Sequence, residues 1–102
     1  MATFTTRVVL HDVADNSADY EKLHDAMGEQ GFSRMIESDD ERLYKLPPAE
    51  YNIEGSLTRK DVLSKAKVAA RRTGREFSVL VTESLGRRWY NLEEIEVLSD
   101  AD

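Results

Sequence analysis

The order of hydrophobic periods constrains this chain more than any other feature. Residues 3–12 alternate, with Phe4, Thr6, Val8 and Leu10 on one side and Thr5, Arg7, Val9 and His11 on the other. β-branched residues are dense there, which predicts a strand. Asp15, Asn16 and Ser17 supply N-cap candidates. A helix is expected next, because Tyr20, Leu23 and Met27 recur at helical spacing before Gly31. Residues 32–37 alternate again. Ser38-Asp39-Asp40-Glu41 reads as a polar turn. Residues 42–46 continue as a strand until Pro47-Pro48, where the missing backbone donors imply an edge, a bulge or a break. Tyr51 and Ile53 let the strand resume over residues 50–54.

Thr58 followed by Asp61 resembles a helix start. In the helix expected from there to about Thr73, Val62, Leu63, Ala66, Ala69, Ala70 and Thr73 share one arc and Gly74 stops it. Residues 76–83 alternate as a last strand. The order β-α-β-β-α-β predicts an α+β ferredoxin-like sandwich: a four-stranded antiparallel sheet with two helices on one face. The expected organisation is one domain over residues 1–90 and an acidic tail over residues 91–102. Residues 88–92 read as a short further strand or an arm. In the tail, Leu92, Ile95 and Leu98 stand at helical spacing among acids, which leaves a short helix, an arm on a partner or a frayed end open.

A length of 102 residues fits a single domain. With no cysteine, disulfides and thiolate chemistry are excluded. No apolar run approaches the roughly 20 residues of a membrane span. No basic-then-apolar leader opens the chain, so a cytoplasmic location is expected. The formal charge of −6 argues against nucleic acid only if it is spread evenly. Residues 1–58 hold twelve acids and five bases; residues 59–75 hold seven bases and Asp61; residues 93–102 hold five acids and no base. One basic segment is therefore set in an acidic chain. Lys60, Lys67, Arg71 and Arg75 fall opposite the apolar arc, flanked by Lys65 and Arg72. They are the candidate nucleic-acid-binding residues. The acidic tail is their intramolecular competitor.

Glycine-rich phosphate loops, nucleophile elbows and metalloprotease helices are missing. His24, beside Leu23 on the first helix, reads as a half-buried packing residue. His11-Asp12 closes the first strand, where a carboxylate would project into a loop region. In a dimer, two copies of Asp12 would share a divalent ion, the one metal role the sequence suggests. His11 is then the general acid or base, with Arg7 the third candidate catalytic residue. Val9, Leu80 and Met35 lie in opposite register to the core set. A second apolar face and a homodimer follow, with Trp89 and Tyr90 as interface anchors or Trp89 folded over its own sheet.

Tyr20-x-x-Leu23-x-x-x-Met27, Gly31-Phe32-Ser33-Arg34-x-Ile36, Ser38-Asp39-Asp40, Tyr44-x-Leu46-Pro47, Glu50-Tyr51 and residues 79–84 together resemble the GhoS antitoxin family of type V toxin–antitoxin systems and its prophage-borne relatives. The resemblance spans roughly residues 4 to 90. It implies a ferredoxin-like domain akin to the CRISPR-associated adaptation nucleases, and an endoribonuclease acting on messenger RNA. It places Asp12 where an aspartate ends the first strand of those nucleases. The competing expectation is a non-catalytic phage or prophage protein. Such a protein would bind and inhibit a host defence or nucleic-acid-binding protein through acidic surface.

Overall fold

The computed structural model describes residues 1–14 and 16–95. Its elements run β1 (Ala2–Leu10), α1 (Ala18–Glu29), β2 (Met35–Glu37), β3 (Leu43–Lys45), β4 (Glu50–Gly55), α2 (Arg59–Arg71), β5 (Phe77–Ser84) and β6 (Glu94–Ile95). The class is α+β with antiparallel sheets. No described helix is long and apolar enough to cross a membrane.

β1 is the centre of the larger sheet, ordered β4-β1-β5. Its alternation does what period two requires. Phe4, Thr6, Val8 and Leu10 are buried, matched across the sheet by Tyr51 and Ile53 of β4 and by Phe77, Val79 and Val81 of β5. α1 covers this face with Tyr20, Leu23, Ala26 and Met27, and α2 with Val62, Ala66, Ala69 and Ala70. The alanines of α2 let its backbone approach both the sheet and α1. Each large side chain withdrawn from water here contributes roughly 1.5–3 kcal/mol. Leu63, expected within the apolar arc, remains partly exposed.

Both helix ends expected at glycine are found. Gly31 (φ +94°) and Gly74 (φ +73°) take the left-handed backbone past each helix. α2 opens on a reciprocal capping box: Asp61 N–H donates to Thr58 Oγ1 at 3.1 Å, and Thr58 N–H donates to Asp61 Oδ2 at 2.9 Å. The carboxyl of Asp61 is held below its usual range chiefly by the Thr58 backbone N–H, with the Thr58 side chain assisting. Ser17 caps α1 without a side-chain hydrogen bond; Asp15 lies outside the described residues.

The single four-stranded sheet expected from the sequence is replaced by two three-stranded sheets, β4-β1-β5 and β2-β3-β6. Residues 42–54 were expected to make one interrupted strand, and they split. Pro47 and Pro48 lack donors, Ala49 turns through φ +73°, and the Ala49 carbonyl accepts from Val8 N–H at 2.8 Å. The chain thus leaves the small sheet and re-enters beside β1. Among the described residues the one β-bridge between the sheets is Ser33 with Asn52, which exchange two backbone hydrogen bonds of 2.7 Å. The tail, for which a helix, an arm and a frayed end were open, begins with a strand: Ile95 pairs with Leu43 and Glu94 with Tyr44. Residues 88–92 lie outside any strand. Residues 96–102, with the rest of the tail, lie outside the described residues.

Candidate functional site

The end of β1 carries His11 and Asp12. The backbone N–H of His11 still donates to the Glu76 carbonyl at 2.8 Å. Its ring Nε2 lies 2.7 Å from Ser78 Oγ at an exposed position. Asp12 follows with φ +58°, a left-handed conformation that aspartate tolerates better than most residues. These two share one exposed turn. Arg7 does not join them. It sits four residues back along the strand, about 13 Å at the usual rise, with Nη1 3.9 Å from Glu50 Oε2. Among the described residues no group of three or more His, Asp or Glu is placed to hold a metal ion. Asp12 alone is one carboxylate, short of the donor set a divalent cation takes.

The basic face of α2 divides in two. Near its C-terminus, Arg72 Nη1 reaches Glu29 Oε1 at 2.9 Å and Arg75 Nε reaches Asp19 Oδ2 at 3.1 Å. Both partners belong to α1, an intramolecular pairing that the sequence reading assigned instead to the tail. At the other end Arg59 Nε lies 3.9 Å from Glu83 Oε1. Lys60, Lys65, Lys67 and Arg71 form no ion pair among the described residues. Lys60, Lys67 and Arg71 are exposed, and Lys65 is half-buried.

A groove of about 750 Å³ separates the two sheets. Acids Glu37, Asp39, Asp40 and Glu54 line it together with Arg87 and Arg88. Arg87 is half-buried and its Nη2 donates to Asn52 Oδ1 at 2.5 Å, while Nη1 is buried without a partner among the described residues. Desolvation lowers its pKa, with Glu54 opposing. Trp89, also on this groove, packs against Tyr44 with ring centroids 5.4 Å apart. Tyr90 is exposed.

Sequence reasoning placed His24 correctly as a half-buried packing residue but missed its partners. His24 Nδ1 lies 2.6 Å from the buried Tyr51 hydroxyl. Burial lowers the His24 pKa below its ordinary 6.5, assisted by Arg34 and Lys45 and opposed by Glu21 and Asp25. Burial likewise raises that of Tyr51. Arg34 and Lys45 carried no signal as site residues, because each stands alone in its own short strand region. No protein-family model matches the chain, and no curated protein matches it.

Proposed function

We propose that this chain is a small RNA-directed protein of the GhoS-like kind, with α2 as the surface that meets the phosphate backbone. The observation that carries this reading is the charge left over on α2. Acids of α1 occupy Arg72 and Arg75, yet Lys60, Lys67 and Arg71 stay exposed with no carboxylate partner among the described residues. Cations at helical spacing along one face match a row of phosphates, and their release of counterions makes binding fall with salt. The unpaired residues, rather than all six candidates, form the footprint.

The same reading regards the two sheets as a ferredoxin-like sheet with an opened edge. The order β5-β1-β4, continued by the Ser33 bridge that precedes β2, supports it. It also includes a homodimer through the sheet face opposite the helices, where Leu80 is 64% exposed. For cleavage, His11 is the acid–base group and Asp12 its neighbouring carboxylate. The decisive experiment incubates the full chain with a mixed RNA pool at low salt, with and without chelator, beside Asp12→Asn and His11→Gln. A mobility shift that weakens steeply with salt supports RNA binding. Products lost in both variants support cleavage at the end of β1. Neither a shift nor products would overturn the reading.

One observation favours the second reading, a non-catalytic protein that binds a host protein. Four acids line the larger groove against two arginines, which suits a cationic segment of a partner. Recovery of one specific protein from a host lysate, lost in Asp39→Asn/Asp40→Asn, would support it. Recovery of RNA alone would count against it.

A further inference from the structure

β4 begins only at Glu50, which pairs with Arg7. Beyond that pair Val8 N–H donates to the Ala49 carbonyl at 2.8 Å, and among the described residues no strand flanks the last residues of β1 on this edge. The gap is a cleft of about 290 Å³ walled by β1, α1, Arg34 and Lys45. Arg7, His24, Arg34 and Lys45 line it, and Glu21 is the one carboxylate among its lining residues. The Nε of Arg34 is buried with no partner among the described residues. Arg34 forms no ion pair among the described residues, and an anion is the group a guanidinium fork binds most strongly.

From this cluster we infer that the cleft between β1, α1 and the start of β2 is a phosphate-binding site, with Arg34 its anchor. Arginine presents paired donors that match phosphate oxygens, and Lys45 adds a point charge. Tyr20 supplies a further donor: its hydroxyl oxygen accepts from Leu10 N–H at 2.9 Å, which leaves its own O–H to bond a ligand. His24 sits at the wall with Nδ1 held by Tyr51, so its Nε2 is the ring atom left for the cleft. Arg7 contributes long-range charge, since Glu50 lies 3.9 Å from it. The volume is near the lower end of small-molecule sites, roughly 300 Å³, which fits a phosphate group with little attached. This site is separate from α2, and its existence does not depend on RNA binding there.

The test is NMR on the full chain, following the backbone amides, the Arg34 Nε–H and the His24 ring during titration with inorganic phosphate. Sodium chloride and sodium acetate at matched ionic strength serve as controls. Saturable shifts at Arg34, Lys45 and His24 are expected with phosphate and not with the controls. Phosphate should also raise the His24 pKa, because the bound anion favours the imidazolium; this readout needs no variant. Arg34→Gln should weaken binding at least tenfold, and Arg34→Lys should recover part of it. Shifts that do not saturate, that chloride reproduces, or that persist unchanged in folded Arg34→Gln would overturn the inference. Two further arms identify the source of the phosphate. Uridine 3′-monophosphate and a short single-stranded RNA are each titrated into Lys67→Glu/Arg71→Glu. RNA moving the cleft resonances in that variant assigns the site to a backbone phosphate. The mononucleotide alone moving them assigns it to a small phosphate ester. Failure of RNA to bind α2 in the wild type leaves the inorganic phosphate result standing.

Discussion

α1 and α2 cover the same sheet by opposite means. α1 fills its inner face with Tyr20, Leu23 and Met27 and keeps a hydrogen-bonded polar pair, His24 with Tyr51, at the margin of the core. α2 fills its inner face chiefly with alanine and valine. Outwardly, α1 shows Asp19, Glu21, Asp25 and Glu29 against Lys22, whereas α2 is almost wholly cationic. Ion pairs join them where α2 ends: Arg72, its C-cap, reaches Glu29 at the last residue of α1, and Arg75, in the turn beyond, reaches Asp19 in the first turn of α1. Net charge thus says little about this surface: adjacent helices carry opposite signs and cancel only where they touch.

The packing side of this contrast gives the largest expected effects. Leu23→Ala removes a fully buried side chain from α1 and should destabilise by about 2–5 kcal/mol, through lost transfer energy and the cavity left behind. Ala66→Leu works in the other direction. It pushes a larger side chain between α2 and the sheet and should destabilise by about 1–3 kcal/mol. Urea denaturation monitored by circular dichroism measures both. If Ala66→Leu proved neutral, α2 would not sit as tightly on the sheet as its alanines require.

On the outer faces, Lys67→Glu/Arg71→Glu should weaken RNA binding at least tenfold, about 1.4 kcal/mol. The slope of log K against log salt should shrink by about 2, one for each phosphate no longer neutralised. Lys22→Glu on α1 should leave binding nearly unchanged. Fluorescence anisotropy across a salt series reads both quantities. Equal losses in the two helices would mean that the contrast in sign does not select the RNA surface.

The pH dependence belongs to α1. The folded-state pKa of His24 is depressed below 6.5, so the unfolded chain takes up a proton first as pH falls through that value. Stability from this group is therefore complete above pH 6.5 and is lost progressively below it, toward the lower folded value. The depressed carboxyls of Asp40 and Asp61 act elsewhere, as pH falls through and below 3.8. Thermal unfolding should show a decline as pH falls below 6.5 that is flatter in His24→Asn. An unchanged slope in that variant would move the titrating group away from α1.

The two helices were also unequally legible. Almost all of α2 could be read locally: the Thr58–Asp61 box, the Val62-to-Ala70 stripe and Gly74 lie within one short window, and each is specified by its neighbours. The stripe of α1 was equally plain. The contacts of His24 were not, because Tyr51 lies 27 residues away and Arg34 stands just before β2. The division into two sheets was hidden for the same reason. Local pattern could not show that residues 50–55 would leave β3 and join β1, although Pro47-Pro48 marked where the break would fall. Of the candidate catalytic residues, His11 and Asp12 share a turn because they are neighbours in sequence. Grouping Arg7 with them overlooked the strand rise between them, and its nearest acid, Glu50, comes from a pairing invisible in sequence.

The smallest effects are expected where the helices touch. Arg72–Glu29 and Arg75–Asp19 are solvent-exposed pairs, with roughly half of each side chain exposed except at Asp19, which is 22% exposed. Water and salt screen such pairs, so double-mutant cycles should give about 0.2–1 kcal/mol each, with Arg75–Asp19 the larger because its carboxylate is less solvated. The value of these pairs lies in what they withhold. Glu29→Gln with Asp19→Asn removes the carboxylates while keeping their shape, which releases Arg72 and Arg75 to an external anion. RNA affinity should then rise above that of the wild type, with a steeper salt dependence, even as stability falls slightly. Opposite signs in the two measurements would show that α1 limits the cationic surface of α2. A variant with reduced stability and unchanged RNA affinity would show that the two paired arginines lie outside the footprint, which would then be confined to Lys60, Lys67 and Arg71 with half-buried Lys65 beside them.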